Sequence, residues 1–125
     1  MTARILIVDD DDAIREVAQT SLELVGGWQV DCASSGADAL TIARQNQPDA
    51  ILLDVMMPAM DGPTTFGRLQ ADPRTRSIPV VLLTAKVQGS ERRRWESLGV
   101  AGVLAKPFDP MTLPKEVAEL LGWDR

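Results

Sequence analysis

The chain contains no histidine and no tyrosine, and its aromatic content is 4%. Without histidine there is no imidazole base, no imidazole metal ligand and no phosphohistidine within this chain. A single cysteine, Cys32, excludes an internal disulfide and fits a reducing compartment. No apolar run approaches the length needed to cross a bilayer, and Met1 to Arg4 leads directly into a short strand-like run without a signal peptide. Positive charge is also in deficit. The net charge of −5 disfavours non-specific binding to nucleic acid or to an anionic membrane. These absences point to a cytoplasmic protein with no membrane and no direct nucleic-acid partner.

What is present suits one folded domain. Of the 125 residues, 45% are hydrophobic and 25% charged, enough for a sizeable core in an ordinary water-soluble chain. There is no repeat and no linker. Apolar runs at Ile5–Val8, Trp28–Ala33, Ala50–Leu53, Val80–Leu83 and Gly102–Ala105 alternate with amphipathic stretches. Four runs are nearly continuous in apolar residues, as strands buried on both faces are. Trp28–Ala33 alternates and is expected at a sheet edge.

Helices are expected over Asp12–Val25, Gly36–Asn46, from Pro63 onward, Ser90–Leu98 and Met111–Leu121. The first should bury Ile14, Val17, Ala18, Leu22 and Val25, with Gly26-Gly27 ending it. Ser35 and either Asp61 or Gly62 are the expected caps, and Pro114 fits only a first turn. Five strands alternating with five helices predict an α/β doubly wound parallel sheet, which binds ligands at the carboxyl ends of its strands.

The residues after those runs carry the chemistry. Asp9 and Asp10 follow the first, Asp54 the third, Thr84 the fourth and Lys106 the fifth. Parallel strands open on one edge, so these side chains converge. Three carboxylates brought together repel and call for a cation, and a hard divalent ion such as Mg²⁺ suits oxygen ligands. Lys106 adds a fixed positive charge and Thr84 a hydroxyl. The set suits phosphoryl transfer to a carboxylate, with Asp54 as acceptor. Asp11 and Asp12 read better as a helix cap and turn. Pro107 and Gly62 read as turn residues, Cys32 as a core residue, and Trp28 and Trp123 as packing residues. Arg92-Arg93-Arg94-Trp95 is either a partner-binding patch or a solvated helix face.

Asp9-Asp10, Asp54-Val-Met-Met-Pro-Ala-Met-Asp-Gly62, Thr84-Ala85 and Lys106-Pro107-Phe108, in this order and spacing, resemble the receiver domains of two-component response regulators. The resemblance covers nearly the whole chain. It implies a flavodoxin-like sheet of strand order 2-1-3-4-5 and one receiver domain over 1–125 with no output domain. Asp54 would accept a phosphoryl group from a histidine kinase or histidine phosphotransfer domain docking near the first helix and the loop after Asp54. Asp9, Asp10, Asp54 and the backbone carbonyl of Met56 would hold Mg²⁺. Thr84, Ala85 and Lys106 would bind the phosphoryl group, with the Lys106–Pro107 peptide cis. Met56 and Lys86 would modulate its lifetime. Such a protein is a switch that catalyses only its own phosphorylation and dephosphorylation. Its output would be a protein target, or a second copy, meeting the fourth helix, fifth strand and fifth helix. Many receivers carry Tyr or Phe three residues before the lysine; here Val103 stands there, so signalling by a ring flip is not expected.

Two other readings compete with this one. Val8-Asp9-Asp10-Asp11 matches the aspartate-x-aspartate nucleophile motif of haloacid-dehalogenase-type phosphatases, with Asp9 as nucleophile. Ala13, no acidic pair after Lys106 and no cap domain speak against it. A flavodoxin would need a phosphate-binding loop where four aspartates stand.

Overall fold

The computed structural model describes residues 2–85 and 89–123. The strands are β1 (Arg4–Val8), β2 (Gln29–Ala33), β3 (Ala50–Asp54), β4 (Val80–Thr84) and β5 (Gly102–Ala105). The helices are α1 (Asp12–Thr20), α2 (Gly36–Asn46), α3 (Gly62–Ala71), α4 (Gly89–Glu96) and α5 (Leu113–Leu121). All strand pairings are parallel, in order β2-β1-β3-β4-β5. This is the expected doubly wound fold, with the alternating strand β2 at one edge.

Alternate residues of each strand feed opposite faces. Leu6, Val8, Ile51, Leu53, Val80 and Leu82 pack with Phe66, Leu69 and Trp95 from α3 and α4. Ile5, Ile7, Leu52, Val81 and Leu83 pack with Ala18 and Leu22 and with Leu113 and Val117 of α5. Each fully buried Leu or Ile contributes roughly 1.5–3 kcal/mol of apolar burial, so the central strands are the rigid frame from which the site projects.

Local chemistry sets the helix ends. Asp11 caps α1 by accepting from the amides of Ala13 and Ile14; Ser35 caps α2 and Asp61 caps α3 in the same way. Pro63 and Pro114 occupy first-turn positions. Gln47, at the end of α2, adopts φ 49° just before Pro48.

The first helix departs from expectation. It closes with a π turn over Ser21–Val25, in which the Gly26 amide donates to the Ser21 carbonyl at 3.1 Å. A π turn adds a residue and rotates the helix face beyond it, so Leu22 and Gly26 face inward while Val25 turns out. Val25 is 45% exposed and Val17 43%, so neither belongs to the core as the α-helical period predicts. Two smaller corrections concern Cys32 and Trp95. Cys32 is half-buried rather than in the core, its Sγ–H donating to Gln19 at 3.3 Å. Trp95 is buried rather than part of an exposed patch with Arg92–Arg94. Trp28 and Trp123 pack edge to face, centroids 5.3 Å apart. No helix among the described residues is long and apolar enough to cross a membrane.

Candidate functional site

β1 delivers Asp9 and Asp10, and β3 ends in Asp54 directly beside them, because Val8 pairs with Leu53. Asp9, Asp10 and Asp54 each place a carboxylate oxygen within 4.8 Å of the others. Asp9 and Asp54 are buried and Asp10 is exposed. From the opposite side Lys106 donates its Nζ to Asp54 Oδ1 at 2.9 Å and to Asp9 Oδ2 at 3.0 Å. Thr84 ends β4 and is buried. Its carbonyl accepts from the Lys106 amide at 2.9 Å, so the two residues share one backbone anchor. Ala85 follows, exposed. The Lys106–Pro107 peptide is cis.

The charges do not balance. At the effective dielectric of a protein surface, two carboxylates this close repel by on the order of 3–4 kcal/mol. Among the described residues, three carboxylates against the one ammonium that touches them leave an excess of two negative charges, the charge a divalent cation would neutralise. The donors are all hard oxygens and one edge is open through Asp10, so the residues fit Mg²⁺.

Titration reflects this setting. Burial pushes the Asp54 carboxyl above its ordinary value. The Asp9 charge adds to the rise, while hydrogen bonds from Lys106 and the Met56 amide oppose it. Burial works against the Lys106 ammonium, but its hydrogen bonds to Asp54 and Asp9 prevail and raise its pKa.

The loop after Asp54 is tightly folded. The Gly62 amide donates to the Val55 carbonyl at 2.9 Å, and a Cβ on Gly62 would collide with the Asp54 carbonyl oxygen. Only glycine permits this approach. Ala59 in the same loop has φ 67°, a left-handed conformation that costs an alanine on the order of 1 kcal/mol. Met56 points outward, 77% exposed. Val103 is buried in the cluster of α3 and α4. Lys86 lies outside the described residues.

The sequence reading missed Arg15. From α1 it donates to the Asp9 carbonyl at 2.7 Å and pairs with Asp12, tying down both ends of the acidic turn. Its only sequence signal was a position three residues after Asp12, which reads as an ordinary helix ion pair.

Comparisons with known proteins bear on this geometry. A family model described as the response regulator receiver domain matches residues 5–118. RpaA of Synechocystis, a DNA-binding dual master transcriptional regulator, is 42% identical over 118 residues, covering 94% of this chain and 48% of that protein. The response regulator PleD of Caulobacter vibrioides is 42% identical over 120 residues, covering 96% of this chain and 26% of its own length. The chain thus spans about half or less of these relatives. Among solved structures, the chemotaxis response regulator CheY4 of Vibrio cholerae superimposes with a TM-score of 0.89 at 30% identity, covering 96% of this chain and 99% of that one. The receiver domain of the sensor histidine kinase PA1611 of Pseudomonas aeruginosa does so with a TM-score of 0.84 at 28% identity, covering 98% and 99%; it carries a magnesium ion in its active-site cleft.

Proposed function

The chain belongs to the response regulator receiver domain family of two-component signalling, and on that footing we propose that it is a Mg²⁺-dependent switch phosphorylated on Asp54 by a partner's phosphohistidine. The observation that carries the proposal is the excess of two negative charges around a buried, lysine-bonded carboxylate at the sheet's carboxyl edge.

In the transfer, an Asp54 oxygen forms a bond to phosphorus as the partner's N–P bond breaks, and that bond's electron pair returns to the imidazole. The product is an acyl phosphate, which water later hydrolyses. Lys106, already bonded to Asp54 Oδ1, moves to a phosphoryl oxygen and stabilises its charge. The Thr84 hydroxyl and the Ala85 amide supply further donors. Asp9, Asp10, Asp54 and the Met56 carbonyl would hold Mg²⁺, which when bound offsets the charge of nucleophile and phosphoryl group. Met56 offers attacking water no useful hydrogen bond, which favours a long-lived phosphorylated state. Met56→Asn should then hasten dephosphorylation, and an unchanged or slower rate would count against that role.

The exposed Val17, Leu24, Val25 and Met111 form an apolar rim around the π turn and the start of α5. It supports docking of a histidine kinase or phosphotransfer domain there. Output passes through the α4-β5-α5 face to a protein target or a second copy, without direct nucleic-acid contact, in the cytoplasm.

The phosphatase reading finds less support. Asp9 is fully buried, with Oδ1 accepting from the Asp11 amide at 2.9 Å and Oδ2 from Lys106, and the family model that matches residues 5–118 is that of the receiver domain. Labelling with acetyl phosphate or phosphoramidate tests the proposal. The parent should label only with Mg²⁺ and Asp54→Asn should not; equal labelling of both would exclude Asp54 as acceptor.

A further inference from the structure

Trp95 is the buried side chain of α4, and it is held in an incomplete environment. Its ring packs in the same apolar cluster as Leu82 and Val103. Its Nε1–H is sealed from solvent and has no hydrogen-bond partner among the described residues. An unpaired buried donor destabilises the arrangement that buries it, and native proteins retain few. The ring also borders a cavity of about 520 Å³ whose wall includes Thr84, Met56, Asp61 and Glu91. The Arg94 guanidinium lies 5.0 Å from the ring centroid. A side chain whose buried donor lacks an acceptor therefore borders a cavity also lined by Asp61, Glu91 and Thr84, the residue that ends the strand next to Asp54.

We infer that Trp95 couples α4 to the state of Asp54: its indole N–H is unpaired in the unphosphorylated arrangement and gains an acceptor from the cavity wall in the phosphorylated one. The inference rests on the phospho-acceptor reading above. A phosphoryl group on Asp54 offers new oxygens to the Thr84 hydroxyl. Movement of Thr84 toward them withdraws it from the cavity that Trp95 borders. Val103 cannot take up the freed space by rotation, being β-branched and 5% exposed. Trp95 can, because the cavity already adjoins its ring: a turn of the indole brings Nε1 toward Glu91, one turn earlier on the same helix, and a shift of α4 brings it toward Asp61. A donor satisfied in only one of two arrangements biases the equilibrium toward it, here by about fivefold or more.

The test is ¹⁵N NMR of the indole N–H groups with Mg²⁺, before and after beryllofluoride. There are three tryptophans, so Trp95→Phe identifies its resonance by loss; if that variant does not fold, Trp28→Phe and Trp123→Phe assign it by elimination. On beryllofluoride addition the Trp95 signal should move downfield and exchange more slowly with solvent, while Trp28 and Trp123 stay put. Trp95→Phe should bind beryllofluoride about fivefold more weakly, since lost ring volume affects both states and largely cancels. A Trp95 indole that stays fixed while the Asp54 and Thr84 amides shift would overturn this coupling alone, as would unchanged affinity in Trp95→Phe. Silence of all these signals would overturn the phospho-acceptor reading and the coupling with it.

Discussion

At the amino end of the sheet, Arg4 pairs with Asp31 at 3.2 Å and bonds Gln29, while its amide donates to Asp49. Asn46 adds a second donor to Asp31. These groups are partly exposed, and each carboxylate has its own donors. At the carboxyl end, three carboxylates share one lysine, and two of the three are buried. The same five strands therefore carry one edge where each carboxylate is hydrogen-bonded separately and screened by water, and one where three carboxylates share a single lysine and are partly removed from water. The first arrangement favours stability alone. The second lowers stability in return for affinity toward a cation and a phosphoryl group.

Breaking the acidic end should have the largest effect. Lys106→Met leaves the carboxylates without their cation and should cost about 3 kcal/mol in metal-free protein, the low end for breaking a buried pair. Millimolar Mg²⁺ should recover much of it. Denaturation with and without Mg²⁺ measures both, and a variant as stable as the parent would show that the charges are not coupled.

Next, Arg15→Gln should weaken Mg²⁺ binding about tenfold, as expected for a group that orients ligands. Removing a positive charge alone would instead tighten binding, so the sign of the change in a calorimetric titration separates positioning from charge. Arg15→Lys, which keeps charge but loses the fork, should not restore affinity.

A smaller change of opposite sign is expected for Asp54→Asn. Because the folded pKa of Asp54 is raised, ionised Asp54 destabilises the native state. The variant should gain on the order of 1 kcal/mol at neutral pH without metal. That gain should fade as pH falls through the folded pKa toward the ordinary value of 3.8, where the parent carboxyl is protonated too. A gain that grew on acidification would contradict this. Smallest of all, Asp31→Asn at the opposite edge should cost well under about 1 kcal/mol and leave Mg²⁺ binding unchanged. An altered metal affinity there would mean that the two edges are not independent.

The strands and the polar residues after them were legible because continuous apolar runs in a parallel sheet leave little ambiguity, and Asp9, Asp54, Thr84 and Lys106 stand at run ends. Caps at Asp11, Ser35 and Asp61 were legible for the same local reason. The π turn was not, because Ser21–Val25 satisfies an α-helical pattern as well, and its register is settled by packing. There the buried Ser21 donates to the Pro110 carbonyl, and Leu22 enters the core. Trp95 was grouped with its arginine neighbours in sequence, whereas the helix turns it toward the sheet. Arg15 escaped because its partner is a backbone carbonyl, which no side-chain pattern reveals.

The central claim concerns which carboxylate forms the acyl phosphate. Borohydride reduces an aspartyl phosphate to homoserine, so protein treated with acetyl phosphate and Mg²⁺, then reduced and digested, can be mapped by peptide mass. Homoserine at position 54, absent when Mg²⁺ is chelated, is the predicted result. Homoserine at position 9, or conversion at 54 that is indifferent to Mg²⁺, would contradict it.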